Sequence, residues 1–453
     1  MTNLPTLEQL AADLAAGRTS ALALTEAALA RAQDAAGEGP RVFTRLSTER
    51  ALASARASDL LRAAGTVRSP LEGIPVSVKD LFDVAGEVTT AGSKVLQDAA
   101  PAARNAPVID RLIAAGAVIV GRTNMSEFAF SGVGINPHHG TPANPWDRAA
   151  RHIPGGSSSG AAVSVADGMA AVAIGSDTGG SVRIPSALCG LTGFKPTQRR
   201  VPTDGALPLS TSLDSVGPLG ASVRCCAIAD AILAGQAVPA PARREVAGLR
   251  LAVPETVVLD GLDATVAAAF ERALAHLSAA GARITRLAVP EFAELAALNA
   301  RGTLSAAEAW AWHRALLTAH EADYDPRVAL RIRGGENMNV ADYIDLLAAR
   351  RRWIAQVQAR IAGHDVLLLP TVPIAPPRIA DLQASDAAFF AANGQLLRNC
   401  ALINFLDGCA LSLPCHAAGE APVGLMLAAA GGRDHEVLAL GEALERVLVA
   451  HDE

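Results

Sequence analysis

The sequence carries no surplus of positive charge and few aromatic residues. Its 453 residues include 39 basic and 45 acidic side chains, giving a formal net charge of -6, and aromatic residues make up only 4% of the chain. Proteins that bind nucleic acid directly usually carry a basic patch or stripe. The composition therefore argues against nucleic acid as a direct partner.

The cysteines do not form the spacing of a metal site. No two of them form a CxxC pair, and the nearby histidines do not complete a zinc-ligand spacing. We therefore predict that the cysteines are buried thiols and that the chain holds no metal. The six cysteines are Cys189, Cys225, Cys226, Cys400, Cys409 and Cys415.

Long hydrophobic runs are also missing. The N-terminal stretch "MTNLPTLEQLAADL" has no basic region followed by an apolar run, and no uninterrupted apolar stretch approaches the roughly 20 residues of a membrane span. We predict a cytoplasmic protein that does not contact a membrane.

Half of the residues are apolar, and the chain alternates helix and strand patterns. The stretch "LEGIPVSVKD" predicts a buried strand that ends at Lys79. The helix pattern "APVIDRLIAAG" precedes the strand pattern "AVIVG", and the same succession returns in "SGAAVSVADG" and "MAAVAIG". Such alternation predicts an α/β fold with a mixed central sheet and helices on both faces.

Residues 235–250, which are rich in Pro and Ala, predict a surface connection rather than a domain boundary. A second helix and strand unit follows, with strands in "GLRLAVPE" and "ARITRLAVPE" and a helix between them. Another strand pattern lies in "HDVLLLPTVPIAPP". No internal repeat or low-complexity tail interrupts the chain, so we predict one domain over residues 1–453.

Two glycine-flanked serine clusters are the candidate chemical sites. The first, "GSSSG", matches the nucleophile elbow of serine hydrolases with Ser158 at its centre, but a loop pattern precedes it and no later histidine has a distinctive context. It also lacks the Lys-Ser/Thr ending of a phosphate-binding loop. In the second cluster, "SDTGGS", the glycines allow a tight turn.

The N–H groups of that turn form a candidate oxyanion hole, which needs donors aimed where negative charge develops. They belong to Thr178, Gly179, Gly180 and Ser181. A serine beside such donors still needs a base, and Lys79 is the best remaining candidate. A solvated strand-end lysine is the alternative.

Four longer motifs decide between these alternatives. The stretches "GIPVSVKDLFDV", "GRTNMSEFAFSG", "PGGSSSGAAVSVADG" and "GSDTGGSVRIPSALCGLTGFKPT" together resemble the amidase signature family. The resemblance covers nearly the whole chain and places a catalytic core at residues 60–225. It implies the amidase signature fold and a serine, cis-serine, lysine triad without metal or organic cofactor.

The resemblance assigns a role to each triad residue. Ser181 corresponds to the nucleophile, Ser157 to the bridging serine on a cis peptide bond, and Lys79 to the general base. Ser158 is then not the nucleophile, and we expect it to bond the loop or cap the following helix. Ser181 would attack an amide carbonyl and form an acyl-enzyme that water hydrolyses.

Further residues have open roles. An ion pair between Arg183 and Asp177 would brace the turn of the second cluster, with contact between Arg183 and the substrate as the alternative. Met125 and Ser126 are candidates for lining the acyl pocket, with plain packing as the alternative. In residues 300–400, the variable region that we expect to set substrate specificity, three arginines are candidates for reading a substrate carboxylate, with helix-surface positions as the alternative: Arg327, Arg331 and Arg333.

Three functions remain open on the sequence alone. The first is a free-standing amidase that releases ammonia or an amine from a small-molecule amide, acting alone or as a homodimer. The second is the glutaminase (A) subunit of a tRNA-dependent amidotransferase complex, and the third is a non-catalytic binding protein on the same fold. The presence of Lys79, Ser157 and Ser181 disfavours the third.

Overall fold

A computed structural model describes residues 4–450 of the chain. Its strands are β1 (Phe43–Leu46), β2 (Pro75–Lys79), β3 (Val118–Thr123), β4 (Val172–Asp177), β5 (Thr192–Lys195), β6 (Ser215–Gly220), β7 (Arg250–Pro254), β8 (Arg283–Leu287), β9 (Val366–Pro370), β10 (Cys409–Pro414) and β11 (Gly424–Ala429). Over the described range they form one sheet, in the order β1-β3-β2-β4-β6-β5-β10-β11-β9-β7-β8.

The helices of the described range follow the same chain order. They are α1 (Leu7–Ala15), α2 (Ala21–Gln33), α3 (Gly39–Val42), α4 (Thr48–Ala63), α5 (Pro107–Ala114), α6 (Ser159–Ala166), α7 (Arg183–Leu188), α8 (Val223–Ala234), α9 (Ala264–Ala279), α10 (Glu291–Leu298), α11 (Leu304–His320), α12 (Pro326–Arg333), α13 (Val340–Ile361), α14 (Ile379–Ala384), α15 (Asp386–Phe405) and α16 (Asp434–Ala450). Short 3-10 turns span Glu127–Ala129 and Glu321–Asp323.

The sheet is mixed, as predicted. β2 runs parallel to both of its neighbours, β3 and β4, and β7 runs parallel to β8 and β9. The remaining pairs are antiparallel. The predicted helix and strand successions appear as α5 followed by β3 and α6 followed by β4, which confirms the α/β class.

Helices cover both faces of the sheet. Every residue of β2, β3, β4 and β6 is buried, and since successive side chains point to opposite faces, neither face is open to water there. The end strands β1 and β8 are partly exposed. Arg283 and Arg286 stand on β8, where charge discourages pairing with another sheet edge.

Strand β6 is one that sequence patterns miss, because "SVGPLG" contains Gly217 and Pro218, which are both disfavoured in central strands. Pro218 lies opposite Ile174 of β4. The pairing of β6 with β5 involves only Leu219 and Gly220, so Pro218 lies outside that ladder. The missing N–H of the proline is therefore tolerated.

Local signals explain where the first helices begin. Thr6 accepts a hydrogen bond from the Gln9 N–H while the Gln9 side chain accepts one from the Thr6 N–H, forming a capping box before α1. Ser20 caps α2 by accepting from the Ala23 N–H.

Other predictions concern single residues and segments. Five cysteines are buried, as predicted, but Cys415 is only half-buried. Residues 236–249, within the predicted surface connection, contain no helix or strand.

None of the helices between residues 4 and 450 is both long enough and apolar enough to cross a membrane.

A glycine in β6 gives a test of the packing of the sheet. A Cβ on Gly217 would lie 2.0 Å from the carbonyl oxygen of Phe194, a backbone atom of the neighbouring strand. We expect Gly217→Ala to destabilise the fold by at least about 2 kcal/mol, because the strands must separate, and to lower the midpoint of thermal unfolding measured by circular dichroism.

Gly394→Ala is the matched control, since a Cβ there meets nothing within 4 Å and the residue lies inside α15. Its unfolding midpoint should stay the same or rise slightly because alanine favours a helix. Equal midpoints for the two variants would contradict the packing of β6 against β5.

Candidate active site

Two parallel strands bring the first candidate residues to one edge of the sheet. Lys79 is the last residue of β2 and Asp177 the last residue of β4, and these strands are adjacent and parallel. In open α/β sheets, ligands bind at the carboxyl ends of the strands. Ser157 and Ser181 lie in the loops just before α6 and α7.

The structure brings Lys79 and Ser157 into contact and places the backbone of Ser181 next to Ser158. Lys79 Nζ lies 2.7 Å from Ser157 Oγ, and the Gly156–Ser157 peptide bond is cis. The N–H of the next residue, Ser158, donates to the Ser181 carbonyl oxygen over 3.3 Å. Lys79 and Ser157 are fully buried and Ser181 is only 3% exposed, so water has little access to each of these side chains.

Burial changes the protonation of the lysine. Lys79 Nζ also bonds Ser176 Oγ at 2.9 Å, and both of its hydroxyl partners are uncharged. Burial lowers the pKa of Lys79 to about 7, although the charges of Asp177 and Asp214 oppose the shift. A neutral lysine, which is able to accept a proton, is therefore accessible near neutral pH.

A buried ion pair shapes the turn that carries Ser181. Arg183 Nε and Nη2 donate to the two carboxylate oxygens of Asp177 over 3.0 and 2.9 Å. The carboxylate also accepts the N–H groups of Gly180 and Val182, and the Asn404 side chain. Burial would raise the pKa of Asp177, but Arg183 and Asn404 outweigh it and hold the pKa well below its usual range.

This pairing corrects one predicted oxyanion donor. The Gly180 N–H donates to Asp177 over 2.8 Å, so it is not available to an oxyanion in this arrangement. The φ angle of Gly180 is +128°, a conformation that favours glycine, and its role is to turn the chain around the carboxylate. The candidate donors that remain are the N–H groups of Thr178, Gly179 and Ser181.

Met125 and Ser126 lie beside the site but do not line the cavity in front of Ser181, contrary to one of their two predicted roles. Both are fully buried. The Ser126 N–H donates to the Ser157 carbonyl oxygen over 3.0 Å, and its hydroxyl donates to the Ser131 carbonyl oxygen over 3.1 Å. Ser126 therefore holds the backbone of Ser157 in place.

Ser158 also has a supporting position. It stands at the N-cap of α6, but its side chain makes no capping hydrogen bond. The hydroxyl donates instead to the Ser176 carbonyl oxygen over 3.4 Å. Of the two predicted roles, bonding the loop describes this arrangement and helix capping does not.

A cavity of about 320 Å³ opens in front of Ser181. Thr178, Gly179 and Ser181 form one part of its wall, and most of the remaining wall is apolar. Among the described residues of that wall, Arg331 alone has a side chain that carries a charge. We call this space the Ser181 cavity.

The structure separates the three candidate arginines. Arg327 pairs with Asp386, and Arg333 pairs with Glu321 and Glu336. Arg331 has a different environment. Its guanidinium lies 4.5 Å from the centre of the Phe130 ring, and its Nη1 is buried without a hydrogen-bond partner in the described chain. Burial lowers the pKa of Arg331 only to about 10, so the group stays charged at neutral pH.

Two residues of the site were not singled out from the sequence. Ser176 lies within the "GSDTGGS" motif, and its position next to Lys79 depends on the β2 and β4 pairing. Asp214 accepts hydrogen bonds from Thr178 Oγ1 at 2.5 Å and from the Leu209 and Ser210 N–H groups. Its position in "STSLDS", outside the two glycine-rich clusters, gave no local signal.

Among residues 4–450, no group of three or more His, Cys, Asp or Glu side chains is placed to hold a metal ion.

Comparisons with known proteins identify the family of this chain. A family model described as Amidase matches residues 23–438. The chain belongs to the amidase signature family. It is a hydrolase of carbon-nitrogen amide bonds with the α/β fold of that family.

Several proteins are similar to this amidase over most of its length. The 2-amino-5-chloromuconic acid deaminase of Comamonas testosteroni is 41% identical over 383 residues, which cover 83% of this chain and 82% of that protein. The A subunit of the glutamyl-tRNA(Gln) amidotransferase of Chloroflexus aggregans is 34% identical, over 97% of this chain and 95% of its own. A crystal structure of an amidase superposes with a TM-score of 0.87 at 34% identity, over 98% of this chain and 99% of its own.

The lysine content allows a direct test of the Lys79 environment. The amidase has only three lysines, Lys79, Lys94 and Lys195, so a protein labelled with ¹³C at lysine Cε gives three assignable signals. We expect the Lys79 signal to titrate near pH 7 in NMR spectra, because burial disfavours the charged form. Lys195, which is also buried, should titrate near pH 8.

The variants Lys79→Met and Lys195→Met assign the two signals by their disappearance. A Lys79 that stays charged up to pH 9 would contradict the environment described above. Circular dichroism over the same pH range checks that the protein remains folded.

Proposed function

We propose that this amidase hydrolyses a small carboxylic amide through an acyl-enzyme on Ser181, with Ser157 as the bridging serine and Lys79 as the general base. The observation that carries the proposal is the 2.7 Å contact between Lys79 Nζ and Ser157 Oγ, in a site where both hydrogen-bond partners of the lysine are uncharged. A lysine with a lowered pKa is suited to accept a proton at neutral pH.

The first half-reaction forms the ester. Neutral Lys79 takes the proton of Ser157 while Ser157 takes that of Ser181, and Ser181 Oγ attacks the amide carbonyl carbon. The carbonyl π electrons move onto oxygen and form the tetrahedral oxyanion. When the oxyanion collapses, the carbon-nitrogen bond breaks, and the nitrogen receives the proton that returns from Lys79 through Ser157.

The second half-reaction repeats the relay with water. Water gives a proton to the relay and attacks the ester carbonyl, and the carbon-oxygen bond to Ser181 then breaks. Ser181 Oγ recovers a proton, and the products are a carboxylate and ammonia or an amine. These steps use only the described side chains and water.

The donors for the oxyanion are backbone N–H groups in the turn before and at Ser181. We assign them to Thr178, Gly179 and Ser181, since Gly180 donates to Asp177. Donors that are already oriented stabilise the developing charge without reorganising. The Asp177 and Arg183 pair supports this assignment, because it holds the turn while neither residue lines the Ser181 cavity.

The acyl part of the substrate carries an anionic group in this proposal. Arg331 lies in the wall of the Ser181 cavity, and its buried Nη1 has no hydrogen-bond partner among the described residues. A buried donor that lacks a partner costs free energy, and a substrate carboxylate would supply the missing acceptor. Most of the remaining wall is apolar, which suits a short hydrocarbon segment between the carboxylate and the amide.

The similar proteins support this substrate class. The Comamonas testosteroni relative is named for an amino acid of the muconic series, which is an acid by name. The Chloroflexus aggregans relative belongs to an amidotransferase named for glutamyl-tRNA(Gln).

A second candidate function is the glutaminase component of an amidotransferase. The identity of 34% over 97% of the chain favours it, and glutamine carries both an amide and a carboxylate. The two functions differ in whether the chain works alone. Activity of the purified single chain on an amide other than glutamine favours the free-standing amidase.

The nucleophile can be identified by a pair of serine variants. We expect the wild-type chain to release ammonia or an amine from at least one member of a panel containing glutamine, malonamate, indoleacetamide, simple aliphatic amides and anilides. Ser181→Ala should abolish this release, because no other group of the site forms the acyl-enzyme. The measurement is coupled detection of ammonia, with chromatography for the anilides.

Ser158→Ala is the control, since Ser158 lies next to the triad but its hydroxyl donates to the Ser176 carbonyl oxygen. It should keep activity within about threefold of wild type. If Ser158→Ala abolishes activity and Ser181→Ala retains it, the assignment of the nucleophile is wrong. A different result is that the wild type hydrolyses no amide of the panel when it is alone and releases ammonia from glutamine only after partner proteins are added. This result would favour the glutaminase component.

The role of Arg331 can be tested with two substrates that differ only in the terminal group of the acyl chain, at the end opposite the amide. Succinamate carries a carboxylate where butyramide carries a methyl group. We expect Arg331→Met to lower kcat/KM for succinamate by about 30-fold or more, because loss of one partner of a buried charge pair typically costs about 2–5 kcal/mol. The value for butyramide should change little or rise.

Arg333→Met is the matched control on the same helix, since Arg333 pairs with Glu321 and Glu336 at the surface. It should leave both substrates unchanged. An equal loss for succinamate and butyramide in Arg331→Met would show that the arginine does not read the carboxylate.

A further inference from the structure

A second cavity, of about 230 Å³, lies beside the Ser181 cavity, and we call it the Asp214 cavity. The two cavities share the wall residues Ala129, Thr178 and Leu209. The Asp214 cavity is far more polar, since its wall includes Ser176, Thr203, Asp204, Thr211, Asp214 and Ser215. The Thr178 segment thus separates an apolar space from a polar one.

The wall of the Asp214 cavity contacts the proposed proton relay at Lys79, through Ser176. Ser176, which lines it, bonds Lys79 Nζ at 2.9 Å, and Lys79 in turn contacts Ser157. In the proposed reaction the departing nitrogen receives its proton through Ser157. Neither Ser157 nor Ser181 lines this cavity, but Thr178, a candidate oxyanion donor, lines both cavities. An amide whose carbonyl oxygen accepts from the Thr178 N–H would therefore lie at their boundary, with its acyl part in the Ser181 cavity and its nitrogen beside the Asp214 cavity.

Asp214 gives the cavity a negative wall with an unused acceptor site. A carboxylate offers about four acceptor positions. Thr178 Oγ1 and the N–H groups of Leu209 and Ser210 fill three of them. One position remains for a further donor, and an amine or ammonium group has such donors to offer.

The charges of the two cavities are opposite. Arg331 supplies a positive group in the Ser181 cavity, and Asp214 supplies a carboxylate in the Asp214 cavity, with Asp204 also in its wall. A substrate amide has a matching polarity if its acyl part carries a carboxylate and its nitrogen leaves as an amine that takes up a proton.

We propose that the Asp214 cavity is the subsite for the amine part of the amide, and that it takes ammonia and small primary alkylamines. The inference rests on the proposed function, which it extends to the other side of the broken bond. The volume admits a short alkyl chain, and the hydroxyl and carboxylate groups of the wall favour a nitrogen donor over an apolar group.

The amine subsite has a consequence for acyl transfer. By microscopic reversibility, an amine that attacks the acyl-enzyme occupies the place from which an amine departs. Its nitrogen attacks the ester carbonyl, the carbon-oxygen bond to Ser181 breaks, and one amine proton passes through the relay to Ser181 Oγ. The product is a new amide, and the ratio of new amide to carboxylate reports occupancy of the subsite.

The experiment measures this ratio for one acyl-enzyme with two amines. Succinamate, or another amide that the wild type hydrolyses, forms the acyl-enzyme, and hydroxylamine or n-butylamine is added over a concentration series. Chromatography quantifies the new amide and the carboxylate. Because both products come from the same acyl-enzyme, the ratio does not depend on the fraction of folded protein.

Ala206→Leu narrows the Asp214 cavity, and Thr211→Leu is a second variant in the same wall. We expect the wild type to show saturation with n-butylamine. Each variant should lower the n-butylamine ratio at least about tenfold while lowering the hydroxylamine ratio less than threefold. Ala268→Leu, at an exposed position of α9 outside both cavities, is the control and should leave both ratios within twofold.

Three outcomes overturn the inference. A ratio that rises linearly with n-butylamine without saturation would show that no subsite is filled, and equal ratios in wild type and both leucine variants would show that the amine approaches elsewhere. A wild type that forms no acyl-enzyme from any amide would overturn the proposed function itself, and this inference with it.

Discussion

The buried pair of Asp177 and Arg183 is the interaction on which the site depends. It fixes the turn between β4 and α7, because the carboxylate binds the Gly180 and Val182 N–H groups on one side and the guanidinium on the other. Asn404 of α15 completes the cluster and connects it to the C-terminal part of the chain. Removal of one member would leave a charge buried without its partner, which is costly.

The fixed turn lets each charge act on a different part of the site. Lys79 hydrogen-bonds two hydroxyl groups, so burial determines its pKa, whereas Asp177 is held ionised by its partners. The pKa values of both groups are lowered, but the neutral form of Lys79 and the charged form of Asp177 are the ones favoured. The difference arises from their immediate hydrogen-bond partners, because both are equally removed from water.

Much of the fold, and the three residues proposed as the triad, could be named from the sequence, but less of the cavity could. Apolar spacing located β2 and its end at Lys79, and the glycine-rich motifs located the two serine loops. β6 was missed because Gly217 and Pro218 resemble a turn, and their tolerance depends on which neighbours the strand has. Arg331 was one of three equivalent arginines in the sequence, since only the packing of α12 shows which of them lacks an acidic partner. Gly180 was assigned as a donor because local sequence does not show that Asp177 accepts its N–H.

Arg331 lines the Ser181 cavity from α12, an element that supplies none of the residues proposed as the triad. Two separate parts of the chain therefore have different proposed roles. Residues 75–183 hold the groups proposed to break the amide bond, and a helix about 150 positions later holds the arginine proposed to select the substrate. A protein built in this way can change its substrate preference through one short helix. The residues proposed to perform the reaction then stay the same. The same separation makes α12 the natural place to begin redesigning what the enzyme accepts.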